Sequence, residues 1–292
     1  MGELAALAVS FFWALTPVIS TRPVAEVGAV RFSRIRYFFA AFLLAAIVFA
    51  TGRPLLEISP QQLSFIALSS FGGVVLGEIA MFQAISMVGP RITSLLYALN
   101  APIAVILAYV ILDERIGLQG LLGITIAFAG VVLILLSRRD RTMDHTIGAR
   151  TVFVGILFGF ASAVLQASGI ILIKPVLEGG ADAVATSFLR VSFAAAFMLA
   201  LATVTGRLRD YIVPKATAAR IATSAATGTG LGTTLMIVAL SLSDVAIASA
   251  LAALSPVMIL PILLFLKHER PSLRAWVGAA ITVLGVAMIL AR

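Results

Sequence analysis

The chain is a near-continuous succession of apolar runs, each about as long as a bilayer's hydrocarbon core is thick. About 20 residues of α-helix cross such a core. Runs of that length fall at roughly 4–21, 30–51, 61–86, 91–112, 117–136, 151–173, 183–205, 216–241, 244–266 and 272–290. Backbone polar groups in lipid must be paired within the segment, so each run is a helix. The expected fold is therefore all-α integral membrane, with ten transmembrane helices. Only 12% of the 292 residues are charged, against about 25% in soluble domains, which leaves no material for a soluble domain. The first run carries Trp13 and Pro17. It lacks the basic lead-in and small-residue cleavage site of a secretion signal, and so counts as a membrane helix.

Cysteine is absent and the two histidines lie in connections. That excludes disulfides, thiolate sites and an imidazole metal cluster, and no cofactor is expected. The net charge of +8 sits in the polar breaks, where it meets lipid head groups and not nucleic acid.

Sliding the chain on itself exposes a repeat. A shift of 154 carries Thr51, Gly52 and Arg53 onto Thr205, Gly206 and Arg207, Arg36 onto Arg190, Phe39 onto Phe193, and Pro102 onto Pro256. A shift of 155 carries Gly73 and Gly77 onto Gly228 and Gly232, and Glu114 and Arg115 onto Glu269 and Arg270. It also carries Gly123 and Gly130 onto Gly278 and Gly285. Residues 1–137 and 151–292 read as two five-helix repeats, joined by a basic cytoplasmic stretch at 138–150.

Five is odd, so the second repeat enters the membrane from the opposite side. Lys and Arg collect in cytoplasmic connections, and matching connections should then differ in charge. Arg22, Arg31, Arg34 and Arg36 stand against Lys174 alone, and Arg53 stands against Arg207, Arg209, Lys215 and Arg220. Arg115, offset by two acids, stands against Lys267, Arg270 and Arg274, and the joint adds Arg138, Arg139, Arg141 and Arg150. This bias predicts an inverted duplication in the inner membrane with both termini periplasmic.

Each repeat ends in a turn closing on Glu-Arg and a helix with glycines seven apart: Asp113-Glu114-Arg115 with Gly123 and Gly130, and His268-Glu269-Arg270 with Gly278 and Gly285. These motifs resemble the EamA family of the drug/metabolite transporter (DMT) superfamily, and the resemblance covers the whole chain. It implies two inverted five-helix repeats around a central cavity, lined mainly by helices 1, 3, 4, 6, 8 and 9, with the last helix of each half at the periphery. Similar proteins include exporters of amino acids and other metabolites, and the carriers of sugar phosphates and nucleotide sugars. The late basic pair of the phosphate carriers has no obvious counterpart, since Lys267 and Arg270 sit at a helix end.

Glu78 is the one acid well inside a predicted helix, and an acid at that depth costs about 2.5–3.5 kcal/mol unless it finds a partner, a proton or water. It reads either as a proton-coupling or substrate-ammonium site, or as an ion-pair partner of Arg36 or Arg190. Its repeat mate is Thr233, so any acid–base role is confined to one half. Arg36 and Arg190 lie about two turns into their helices. Inversion is expected to place them toward opposite faces, as gates or as snorkelling anchors. Thr93, Tyr97 and Asn100 share one face of helix 4, and Pro102 frees the carbonyl of Ala98. They can hold a polar ligand or bond a neighbouring helix. Trp13 with Thr16 and Pro17, and Ser162 with Gln166, open the two halves. Trp13 either stacks on a ligand or packs. The glycine pairs of helices 3 and 8 read as close-packing positions.

An embedded enzyme needs paired acids, a Ser–Lys pair or metal-binding histidines, and the chain has none. Nor is there a nucleotide-binding loop. A secondary transporter exporting a small polar or amphipathic metabolite by alternating access, with protons as the coupling ion, fits best. Amino acids come first, because Glu78 can meet an ammonium and Arg190 a carboxylate. The alternatives are an organic-phosphate, nucleotide-sugar or drug exchanger of the same fold, or a channel or scaffold. An internally duplicated chain completes its own cavity, so a monomer or weak dimer suffices.

Overall fold

A computed structural model describes residues 1–55, 57–137, 149–266 and 271–291. Arg138, Arg139, Arg141 and His145 of the joint lie outside the described residues, as do Lys267, His268, Glu269 and Arg270. Among the described residues ten helices are long and apolar enough to cross a membrane, and there is no strand. In chain order they are α1 (Gly2–Val27), α2 (Ala29–Thr51), α3 (Pro60–Gly89), α4 (Ile92–Ile111) and α5 (Leu118–Ser137). The second half has α6 (Ala149–Glu178), α7 (Ala183–Val204), α8 (Lys215–Leu242), α9 (Val245–Phe265) and α10 (Leu273–Leu290). Large apolar side chains such as Phe42, Phe49, Tyr109, Val204 and Phe265 are exposed along the helices, as a lipid-facing surface requires.

The helix ends follow from local chemistry. The α1 and α6 helices run about one and a half turns past the apolar runs, where i,i+4 pairs continue them: Arg22 with Glu26 at 3.3 Å and Lys174 with Glu178 at 3.8 Å. The Thr-Gly-Arg motif is the end of α2 and α7. Gly52 and Gly206 have φ of 62° and 67°, a left-handed stop that L side chains rarely adopt. Ser59 and Gln62 form a reciprocal capping box at the start of α3.

Two irregularities recur in both halves. The chain widens to π-helix at Ser70–Leu76 within α3 and Ala225–Gly232 within α8. It also breaks within α4 at Leu99 and within α9 at Ala253 and Leu254, before helix resumes at Asn100 and at Ser255. Asn100 and Ser255 are 155 apart. The proline match of 154 instead puts Leu254 opposite Asn100, so the structural mate of Asn100 is Ser255 and both halves carry a polar side chain there.

The halves are tied at both ends. On the side of the joint, Glu26 accepts from Thr217 at 2.7 Å and from Arg220 at 2.6 Å. There too Arg34 pairs with Asp210 at 2.7 Å and Ser20 bonds Ser224 at 2.7 Å. On the side of the termini, Ser69 donates to the Gly169 carbonyl at 2.6 Å and Gln62 donates to the Gly179 carbonyl at 3.2 Å. Ser69 and Ser224 are 155 apart, as are Gln62 and Thr217, so α3 on α6 and α8 on α1 are one contact used twice. Glu114, in the turn after α4, ties the halves again. It accepts from the backbone N–H groups of Val245 and Ala246 at 2.8 and 3.2 Å, capping α9 of the other half.

The last helices of the two halves pack on one another through their glycines. A Cβ at Gly278 would lie 2.8 Å from the Gly130 carbonyl oxygen, and one at Gly123 2.7 Å from that of Gly285. Gly278→Leu is expected to cost at least about 1–3 kcal/mol by overpacking and to lower the thermal unfolding temperature in detergent. Gly117→Leu, where a Cβ meets nothing within 4 Å, is the matched control.

Candidate functional site

Two adjoining cavities, of about 300 and 320 Å³, lie between the halves. Both are lined by Trp13, Pro17, Met81, Tyr97, Gln166, Ile170, Met236 and Ser255. Their size is at the lower end of pockets that enclose small metabolites. One is mainly apolar, adding Ile85, Val131, Leu135 and Ile259 to the shared wall. The other holds Arg36, Tyr37, Glu78, Arg190, Thr229 and Thr233.

The irregular helices frame this space. Each π-helical turn ends immediately before a lining residue, Gly77 and Glu78 in α3 and Thr233 in α8. Such wide turns redirect the side chains that follow them. The breaks of α4 and α9 also face the space, since Ala98, Asn100, Ala252, Ala253 and Ser255 line the apolar cavity. Pro102 and Pro256 have no N–H, so the carbonyls of Ala98 and Ala252 are released from the helix ladder at the cavity wall. Irregular backbone is tolerated at membrane depth where it borders such a cavity.

Glu78 is 8% exposed and pairs with Arg36 of α2 at 2.8 Å while accepting from Ser33 at 2.8 Å. The Arg36 guanidinium lies 5.4 Å from the Phe32 ring centroid and 5.3 Å from that of Tyr37, within cation–π range. Arg36 is thus an inward ion-pair partner and not a snorkelling anchor. Arg190 is 4% exposed, and its Nε donates to Ser69 at 3.0 Å. Ser70 donates to the Arg190 carbonyl at 2.7 Å, fixing α7 against α3. Three buried atoms here have no hydrogen-bond partner among the described residues: Glu78 Oε2, Arg36 Nε and Arg190 Nη2.

Most of the residues singled out from the sequence line these cavities; Ser162 lines neither and donates instead to the Gly77 carbonyl at 2.7 Å. Trp13, Tyr97 and Gln166 border both, Asn100 borders the apolar one, and Arg36, Glu78, Arg190 and Thr233 border the charged one. The side chains of Arg36 and Arg190 do not part toward opposite faces but border the same charged cavity. Each starts about 10 Å inside its own membrane face, and a long side chain from there reaches the same space in a core about 30 Å thick. The lining also draws on α2, α5 and α7, through Tyr37, Leu135 and Val191. Helix α5 is therefore not wholly peripheral. Among the described residues no group of His, Asp and Glu is placed to hold a metal.

Irregular broken helices around a space with buried charges, in a ten-helix membrane fold, are the architecture of a membrane transporter. The chain belongs to the EamA-like transporter family, whose model matches residues 1–136 and 153–291, once in each half. Members of that family are membrane transporters. A solved structure described as "Crystal structure of protein" is similar in fold, with a TM-score of 0.82 and 18% identity. The match covers 98% of this chain and 95% of the other. No curated protein matches the chain.

Proposed function

We propose that the chain exports an α-amino acid by alternating access, in exchange for protons. The observation that carries this reading is a pair of buried atoms of opposite charge in one cavity, both without a partner among the described residues: Glu78 Oε2 and Arg190 Nη2. An unmade bond to a buried charge is costly. A zwitterion supplies both missing partners, its ammonium on Glu78 and its carboxylate on Arg190, while its side chain enters the apolar cavity beside Trp13 and Met81. A carboxylate cannot hold a proton and pair with an ammonium at once. Glu78 therefore exchanges one for the other, and an inward proton gradient drives the amino acid outward.

In proteoliposomes, counterflow of labelled amino acids is expected, with nucleosides and sugar phosphates failing to compete. The reading fails if amino acids neither exchange nor compete; exchange of sugar phosphates instead would move the chain to the organic-phosphate carriers. Orientation has a separate test. A C-terminal alkaline phosphatase fusion is expected to be active and a C-terminal green fluorescent protein dark, because the charge bias predicts both termini on the periplasmic side of the inner membrane. The reverse pattern would invert the topology.

A further inference from the structure

The apolar cavity contains a polar atom that the binding of an amino-acid head group does not use. Ser249, in the first half of α9, is 3% exposed, and its Oγ has no hydrogen-bond partner among the described residues. It lines the apolar cavity and not the charged one. A serine in a helix ordinarily satisfies itself on a carbonyl of the preceding turn. The other buried serines among the described residues each have a partner, either on the preceding turn, as Ser10 does on Leu7 at 2.7 Å, or on another helix, as Ser69 does on Gly169 at 2.6 Å. Ser249 forgoes that bond in a wall otherwise built from side chains such as Met81, Ile85, Leu135 and Met236.

Its position in the repeat matches that of a second serine. Ser94 lies 155 residues earlier, the separation that relates the helix breaks at Asn100 and Ser255, and Ser94 lines the same cavity. The charged cavity adjoins this one through a shared wall that includes Trp13, Tyr97 and Gln166. A substrate whose head group sits between Glu78 and Arg190 therefore extends its side chain toward Ser249.

We infer that Ser249 is a specificity residue whose hydroxyl bonds a hydroxyl or ring N–H at the far end of an otherwise apolar substrate side chain. The favoured class is then aromatic amino acids with a distal polar group, tyrosine or tryptophan ahead of phenylalanine. This rests on the amino-acid reading above. A hydrophobic wall alone does not make that distinction, because phenylalanine fills the same volume without leaving a polar group unpaired. An orphaned hydroxyl does, since only a partner-bearing substrate satisfies it.

The test is competition in counterflow, with protection against thermal unfolding as a readout independent of transport, for wild type and Ser249→Ala. Wild type is expected to prefer tyrosine or tryptophan over phenylalanine about three- to tenfold, the size of one neutral hydrogen bond. Ser249→Ala should erase that preference and leave phenylalanine unchanged or improved. Equal competition by all three in wild type, or an equal change for all three in the variant, overturns the inference. The same holds if other amino acids bind and these three do not, and in each case the amino-acid reading stands. Absence of protection and counterflow with every amino acid overturns both.

Discussion

Replacing Arg190 with Gln is expected to abolish amino-acid counterflow at ordinary substrate concentrations and, at the same time, to make the purified protein more stable. The two effects share one cause. Among the described residues Arg190 is 4% exposed with its Nη2 unpaired, and the one acid lining its cavity, Glu78, is bonded to Arg36 at 2.8 Å. A buried cation without a counter-ion is held at a cost, and even paired buried charges can be replaced by neutral side chains with no loss or with a gain of about 1–4 kcal/mol. What Arg190→Gln loses structurally is small. Ser69 keeps its bond to Gly169, and Ser70 still donates to the backbone carbonyl at 190. What the variant loses functionally is the charge that meets the substrate carboxylate. Removing one member of a buried charge-assisted pair costs about 2–4 kcal/mol, roughly a 30- to 1,000-fold loss of affinity. Arg190→Lys keeps the charge without the planar fork and should fall between the two. The measurements are counterflow in proteoliposomes and thermal unfolding in detergent. Wild-type counterflow in Arg190→Gln would remove Arg190 from the binding site.

The sequence and the structure agree best where the bilayer leaves the chain no choice. Ten helices are readable because each needs its own apolar run, and the repeat is readable because Gly, Pro and Arg punctuate those runs in the same order twice. Depth in the membrane is also readable, which is how Glu78, Arg36 and Arg190 stand out. Azimuth is not. Whether Arg36 meets Glu78 depends on how α2 turns toward α3, and no local pattern across their separation of 42 positions encodes that. The widened turns at Ser70–Leu76 and Ala225–Gly232 are equally silent, since an i→i+5 ladder has no composition of its own. The prolines even mislead by one position, matching Asn100 with Leu254 where the resumed helices match it with Ser255. Tyr37 and Ser249 are missed for a plainer reason: neither residue type is unusual in a membrane helix until its surroundings are known.

Glu78→Gln is expected to uncouple transport from protons without stopping it. In proteoliposomes at saturating substrate, amino-acid counterflow should persist, because the amide oxygen still accepts from an ammonium. Uphill transport driven by a pH gradient should vanish, because the amide cannot carry a proton. The same substitution acts on stability with a sign opposite to that at Arg190. Glu78 and Arg36 neutralise one another at 2.8 Å, and removing one member of a buried pair strands the other charge, typically at about 3–5 kcal/mol. Arg36→Gln with Glu78→Gln removes both charges together and should recover most of that loss, so the double-mutant cycle reads the pair directly. It should not recover coupling, since the proton carrier is still missing. A stability loss repaired by the double variant without a return of pH-driven transport separates the structural role of the pair from the role of its carboxylate. If a pH gradient drives transport equally well in Glu78→Gln, Glu78 is a structural counter-ion for Arg36 and the proton, where one is used, enters elsewhere.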